Sequence, residues 1–254
     1  MDASSLIPFV NELLNKSGAI ITPYFFNRDY SIDNKSDESP VTKADKEAEE
    51  CIRSLIQKEF PDHGIIGEEF GEENKGAEFT WIIDPIDGTK AFITGSPLFT
   101  TLVGLLHNGE PILGAIHQPV AGLRCIGDNH STTLNGNVVT CRNTSSIAEA
   151  TILGTSIKTA DEFQNGERFT ALVKSAKLFR TWGDGFGYLL VASGQADAML
   201  DPIMNPWDVL PVIPVVRGAG AKVGNWQGNT DHWESCIAST PELFETVTKA
   251  LNGA

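Results

Sequence analysis

Asp45, Glu68, Asp84, Asp87 and Asp208 are the side chains whose type and placement suggest chemistry. Asp84 and Asp87 fall in the stretch Trp81-Ile82-Ile83-Asp84-Pro85-Ile86-Asp87-Gly88-Thr89-Lys90. Its bulky apolar start suits the end of a buried strand, which Asp84, Pro85, Asp87 and Gly88 then break. Pro85 fixes its own φ and Gly88 permits a backbone geometry closed to other residues, so the turn is stiff. A stiff turn that lifts two carboxylates out of a packed core suits cations. Hard ions such as Mg²⁺ prefer oxygen donors, and two of them roughly 3.5–4 Å apart clamp a phosphoryl group during in-line displacement. Asp84 and Asp87 can share two ions, with the Ile86 carbonyl as a further donor. A phosphate needs positive charge in so acidic a chain, yet the sequence has no G-x-x-x-x-G-K-[ST] loop and no arginine cluster beside the turn. Metal ions would supply it.

Plainer readings stand beside this one. D-x-x-D-G-T can be an exposed acidic turn, and Asp45 a helix-N-terminal acid favoured by the macrodipole. An aspartate nucleophile would want acids two apart, D-x-D, whereas Asp84 and Asp87 are three apart around a proline, which favours direct attack by water.

The elements that must position these acids follow from periodicity. Leu6, Ile7, Val10, Leu13, Leu14, Ile20 and Ile21 predict an amphipathic helix over 4–26, and the polar run 27–40 an exposed loop containing Lys35. Ala44, Ala48, Cys51, Ile52, Leu55 and Ile56 predict a helix over 43–59 with Asp45 in its first turn. Gly64 to Gly67 reads as a strand delivering Glu68 and Glu69 to opposite faces, so that one of them reaches a given site. Strands over 98–106, 112–118, 122–126 and 137–140 complete an α+β first half, 1–147. From residue 148 to 254 short helices and strands alternate: strands at 151–154, 178–182, 196–200, 221–226 and 235–238, helices at 166–174, 188–194, 207–217 and 241–251. This reads as a second α/β half, packed with the first as one unit.

Composition narrows the function. The chain has 254 residues, 41% hydrophobic, and a formal charge of −14, with 19 scattered basic residues against 33 acidic ones. Nucleic acid and anionic membranes need clustered Lys and Arg, so neither is an expected partner. Cys51, Cys125, Cys141 and Cys236 lack metal-site spacing and read as reduced structural thiols. The five histidines have no pairing that suggests a ligand set. No basic segment leads into an apolar stretch at the N-terminus, and no apolar run approaches the ~18 residues of a membrane helix, which is the pattern of a cytoplasmic protein.

Four motifs in order, Val41-Thr42-Lys43-Ala44-Asp45, Gly67-Glu68-Glu69, Trp81 to Thr89, and Pro206-Trp207-Asp208 with Gly218-Ala219-Gly220, resemble the inositol monophosphatase family of lithium-sensitive phosphatases. The resemblance implies an α/β, α+β layered fold, the five-layer αβαβα sandwich of the inositol monophosphatase/fructose-1,6-bisphosphatase type. It also implies a homodimer, two to three Mg²⁺ ions per subunit and a small phosphate monoester as substrate. Glu68, Asp84 and the Ile86 carbonyl would hold one metal, and Asp84, Asp87 and Asp208 a second. Thr89, hydrogen-bonded to Asp45, and Glu68 would orient and deprotonate the attacking water. The Gly88 and Thr89 amides would hold phosphate oxygens, and Lys35 would contact an ion-bound water or the phosphate.

Within that family, Gly183-Asp184-Gly185 and Asp201 resemble the histidinol-phosphatase branch. Inositol enzymes usually carry Gly-Thr or Gly-Ser where this chain has Gly183-Asp184. Histidinol phosphate presents a protonated amine, which an added carboxylate suits. Gly183, Asp184, Gly185 and Asp201, with Asp87, Gly88, Thr89 and Asp208, are therefore the expected substrate contacts. Local structure offers alternatives: Asp184 as a helix N-cap and Asp201 as a turn acid before Pro202. Inositol-1-monophosphatase, a broad sugar or nucleotide monophosphatase, and a non-catalytic metal-binding homologue are the competing functions.

Overall fold

A computed structural model describes residues 3–28, 32–34, 40–230 and 232–253. Lys35 lies outside the described residues. The first half runs α1 (Ile7–Asn27), β1 (Ile32–Asn34), β2 (Pro40–Thr42), α2 (Lys43–Glu59), β3 (Gly64–Gly67), β4 (Gly71–Glu73), β5 (Phe79–Asp87), α3 (Thr89–Ile93), β6 (Thr100–His107), β7 (Glu110–Gln118), β8 (Leu123–Gly127), β9 (Thr132–Leu134) and β10 (Asn137–Val139). The second half runs β11 (Thr151–Gly154), α4 (Ile157–Phe163), α5 (Gly166–Ser175), β12 (Leu178–Arg180), α6 (Asp184–Ala192), β13 (Ala198–Asp201), α7 (Pro206–Val209), α8 (Val212–Gly218), β14 (Lys222–Gly224), β15 (Cys236–Ser239) and α9 (Pro241–Asn252).

Two sheets and three helical layers result. The larger sheet has the order β10-β9-β8-β7-β6-β5-β3-β4, and the smaller β12-β11-β13-β15-β14. Leu13, Leu14, Ile52 and Ile56 of α1 and α2 pack on Trp81, Ile83 and Leu105, covering one face of the larger sheet. Leu189 and Val191 of α6 and Val212, Ile213 and Val216 of α8 lie between the sheets, against Leu102, Ile116, Met199 and Ala238. Phe169, Leu172, Leu243 and Val247 of α5 and α9 cover the far face of the smaller sheet. Each sheet face is apolar and is buried by a helix's apolar stripe, so the layers alternate αβαβα, the architecture the resemblance implies.

Several expected boundaries shift for physical reasons. Strand β5 is not broken at Asp84; it continues to Asp87 through an irregularity in its pairing with β6. Asp84 pairs with Leu102 and Asp87 with Thr100, so Pro85 and Ile86 together oppose Thr101. This is a β-bulge, which accommodates a proline that has no N–H to give the ladder. The helix expected over 207–217 is two, α7 and α8, parted at Leu210 and Pro211, since a proline inside a helix removes an N–H bond and clashes with the turn before it. Helix α6 opens at Asp184 rather than Tyr188, and α4 and the short strands β1, β2, β4 and β9 lie in segments too short for a periodic signal. No helix among the described residues is long and apolar enough to cross a membrane.

Candidate active site

The bulge decides where the two central acids point. In a regular strand residues three apart face opposite sides, but one extra residue restores a common side. Trp81 and Ile83 face α1 and α2, leaving Ile82 and Asp84 on the side of the inter-sheet helices. With the bulge, Asp87 joins Asp84, and Asp208 arrives from α7: the three offer carboxylate oxygens within 4.8 Å of one another. Thr101 Oγ1 donates to the Pro85 carbonyl at 2.8 Å, fixing the bulge from β6.

Asp45 and Asp208 are presented by the same local device. Each is the N3 residue of a capping box, Thr42 to Asp45 and Asn205 to Asp208. Asp45 Oδ2 accepts the Thr42 amide at 2.8 Å, and Asp208 Oδ2 accepts the Asn205 amide at 2.8 Å. One oxygen of each carboxylate caps its helix and the other is left for the site. The helix-terminus reading of Asp45 is therefore correct for one oxygen; Asp45 Oδ1 is buried without a hydrogen-bond partner.

Asp87 accepts from Thr100 Oγ1 at 3.0 Å and from the Gly185 amide. Glu68, half-buried at the end of β3, donates its amide to the Ile83 carbonyl at 3.2 Å, and its charge raises the pKa of Asp84. Burial lifts the carboxyls of Asp45, Asp84, Asp87 and Asp208, assisted by neighbouring negative charge. Asp45 rises to about 7, and Asp208 to about 6. Asp84 and Asp87 rise well above the ordinary range, through burial first and then Glu68 and Asp208 for the former, Asp184 and Asp208 for the latter.

The expected hydrogen bond between Thr89 and Asp45 is not made: Thr89 Oγ1 donates to the Ile86 carbonyl at 3.1 Å, its nearest acceptor across the tight turn. Gly88 sits at φ +85, and a Cβ there would lie 3.0 Å from Asp184 Oδ2. Asp184 thus stands directly over the turn, half-buried, at φ +52, a left-handed conformation that Asp tolerates better than most residues. It is not an N-cap; its amide donates to Thr155 Oγ1 at 2.9 Å. Burial raises Asp184 to about 7, with Asp201 and Asp208 adding to the rise and Lys90 opposing it. Asp201 is buried and accepts from Tyr188 OH at 2.9 Å, and burial raises it to about 6. Gly185 gives its amide to Asp87, and Gly183 packs on Thr155, where a Cβ would overlap. Thr100 and Tyr188 lie in segments that resemble the histidinol-phosphatase branch, whereas Thr155 is a site neighbour that no sequence signal marks beyond its place just after strand β11.

Asp84 Oδ1 is a buried acceptor without a partner, beside two further carboxylates in an all-oxygen donor set. Like charges gathered this closely call for a hard divalent cation, and the residues present fit one.

The sequence matches the inositol monophosphatase family over residues 2–253, and the chain belongs to that family of metal-dependent phosphatases. It is 39% identical over 241 residues to "Bifunctional phosphatase IMPL2, chloroplastic" of Arabidopsis thaliana, covering 93% of this chain and 69% of that protein. It is 38% identical over 218 residues to "Histidinol-phosphatase" of Chlorobaculum parvum, covering 85% of this chain and 84% of that one. An inositol monophosphatase structure from Zymomonas mobilis superposes with a TM-score of 0.87 at 32% identity, covering 99% of each chain.

Proposed function

We propose that this chain is a Mg²⁺-dependent histidinol-phosphatase, hydrolysing L-histidinol phosphate to L-histidinol and phosphate. The observation that carries the substrate is Asp184, a carboxylate held over the Gly88 turn with Asp201 behind it. A cleft with acidic groups beyond those needed for cations favours a leaving group that brings its own positive charge, as a protonated amine does. The Chlorobaculum parvum and Mycobacterium tuberculosis relatives named histidinol-phosphatase, 38% and 32% identical, support the same reading.

In this mechanism Glu68, Asp84, Asp87, Asp208 and the Ile86 carbonyl would hold two to three divalent cations. When bound, the cations neutralise phosphate charge and lower the pKa of water. The chain's own groups do the rest. The amides of Gly88 and Thr89, at the start of the α3 turn, hold phosphate oxygens. Glu68 accepts the proton of the attacking water, and Thr89 Oγ1, beside the Ile86 carbonyl, orients it. Thr100 and the Gly185 amide fix Asp87 so that it faces the ester rather than rotating away. Asp184 and Asp201 receive the amine.

The Zymomonas mobilis neighbour and an Aquifex aeolicus relative named "Fructose-1,6-bisphosphatase/inositol-1-monophosphatase", 31% identical, favour a second reading, inositol or sugar monophosphates. A substrate panel with Mg²⁺ separates them. The expected kcat/KM is about 100-fold higher on histidinol phosphate than on myo-inositol 1-phosphate, the scale of one hydrogen bond to a charged group. Equal values on the two would sink the assignment.

A further inference from the structure

Glu68 and Asp84 come from neighbouring strands β3 and β5, and a third element holds the turn that carries Glu68 from β3 to β4. Helix α2 carries Asp45, Glu49 and Arg53 four residues apart, so the three share one face. Asp45 feels the charges of Glu69 and Glu68. Glu49 is fully buried, where an ionised carboxylate is costly unless hydrogen-bonded. It accepts the Glu69 amide at 2.8 Å, the Phe70 amide at 3.2 Å and Arg53 Nε at 2.8 Å. Arg53 donates onward to the Gly71 carbonyl and lies 3.5 Å from Glu73. From the other side the Glu68 amide donates to the Ile83 carbonyl, one residue before Asp84. Gly67 makes the approach possible, because a Cβ there would overlap the Glu49 carboxylate. Gly71, at φ +71, closes the turn.

We propose that Glu49 and Arg53 are positioning residues for Glu68: the pair clamps the backbone of 67–71 and so sets where the Glu68 carboxylate stands relative to Asp84 and to bound cations. This rests on the reading of Glu68 as cation ligand and proton acceptor. Groups that orient a metal ligand without touching the metal change affinity or activity about 10–100-fold when replaced.

Glu49→Gln keeps the size of the side chain, but one carbonyl oxygen cannot replace a carboxylate for three donors. Calorimetric titration with Mg²⁺ should show about 10-fold weaker binding, and kcat should fall about 10–100-fold with KM for the ester changed less than about twofold. In a Glu68→Gln background the same change should add less than about twofold, because its effect passes through Glu68. Independent, multiplying effects would overturn the proposal, as would a Glu49→Gln protein that loses only thermal stability while Mg²⁺ binding and kcat stay unchanged. Should Glu49→Gln fail to fold, Arg53→Lys keeps the charge beside Glu49 and loses the reach to Gly71. The same weakening of Mg²⁺ binding is then expected, and normal Mg²⁺ binding and kcat in folded Arg53→Lys would reject the clamp. Glu68→Gln with unaltered kcat would remove the underlying reading of Glu68. A crippled Glu68→Gln beside an unaltered Glu49→Gln would leave that reading standing and remove the clamp alone.

Discussion

Asp84 and Asp87 lie on one strand of the larger sheet, whereas Asp184 and Asp201 reach the same site from a helix start and from the end of a strand of the smaller sheet. The first pair is aligned by covalent proximity and a bulge: two residues of β5 opposite one of β6 put both carboxylates on one side. The second pair is aligned by packing, with Thr155 and Tyr188 holding the two acids from behind. The two regions are thus aligned by different means. The acids gathered within 4.8 Å draw two of their three members from one bulged strand, and the second pair is tied to them at one point, where the Gly185 amide beside Asp184 holds Asp87.

The largest expected effect strikes the first region. Asp84→Asn removes a carboxylate from the centre of the cation site, and kcat should fall by about 1,000-fold or more on every phosphate ester alike. A loss confined to one substrate would break the distinction between the two regions.

Asp184→Asn tests the second region. It should lower kcat/KM for histidinol phosphate about 10–100-fold, the cost of a lost charge-assisted contact, and change that for inositol 1-phosphate less than about threefold. Equal losses on both esters would place Asp184 with the cation ligands instead.

A smaller effect concerns stability. Folding raises Asp45 and Asp184 from an ordinary 3.8 to about 7, and Asp201 and Asp208 to about 6. Raised carboxyl pKa values favour the protonated fold, so that contribution is complete below about pH 4 and is lost as pH climbs through 6 and 7. Protein stripped with EDTA should therefore melt several degrees lower at pH 8 than at pH 5.5, and saturating Mg²⁺ should remove most of the difference. Asp184→Asn should flatten the slope of the stripped protein in part, by the share that burial of this one carboxyl contributes. A flat profile in the stripped wild type would mean that burial does not raise these acids as described.

Much of the first region was legible because its logic is local. The run Trp81 to Ile83 reads as a buried strand, and all three side chains are fully buried. The helix over 43–59 follows from the spacing of Ala44, Ala48, Ile52 and Ile56, and α2 spans Lys43–Glu59. The continuation of β5 to Asp87 was not legible, since Pro85 and Gly88 signal a break and only pairing with β6 reveals a bulge. Helix α4 and the division of α7 from α8 were missed because seven residues or fewer leave too little periodicity to detect.

Lys35 falls outside the described residues, and the Thr89–Asp45 bond is replaced by one from Thr89 to Ile86. Residue types and local spacing encode the acidic side chains, the buried run before Asp84, the helix with Asp45 in its first turn, and the order of motifs that marks the family. Those features rest on contacts within about four residues, which side-chain type and spacing encode directly. Only the tertiary structure decided that the Gly185 amide holds Asp87 from 98 residues away, that Asp184 stands over Gly88, and that Glu49 clamps the turn bearing Glu68 from 20 residues away. Such contacts exist because layers packed by apolar burial bring distant backbone together, and burial carries no record of which polar groups will meet.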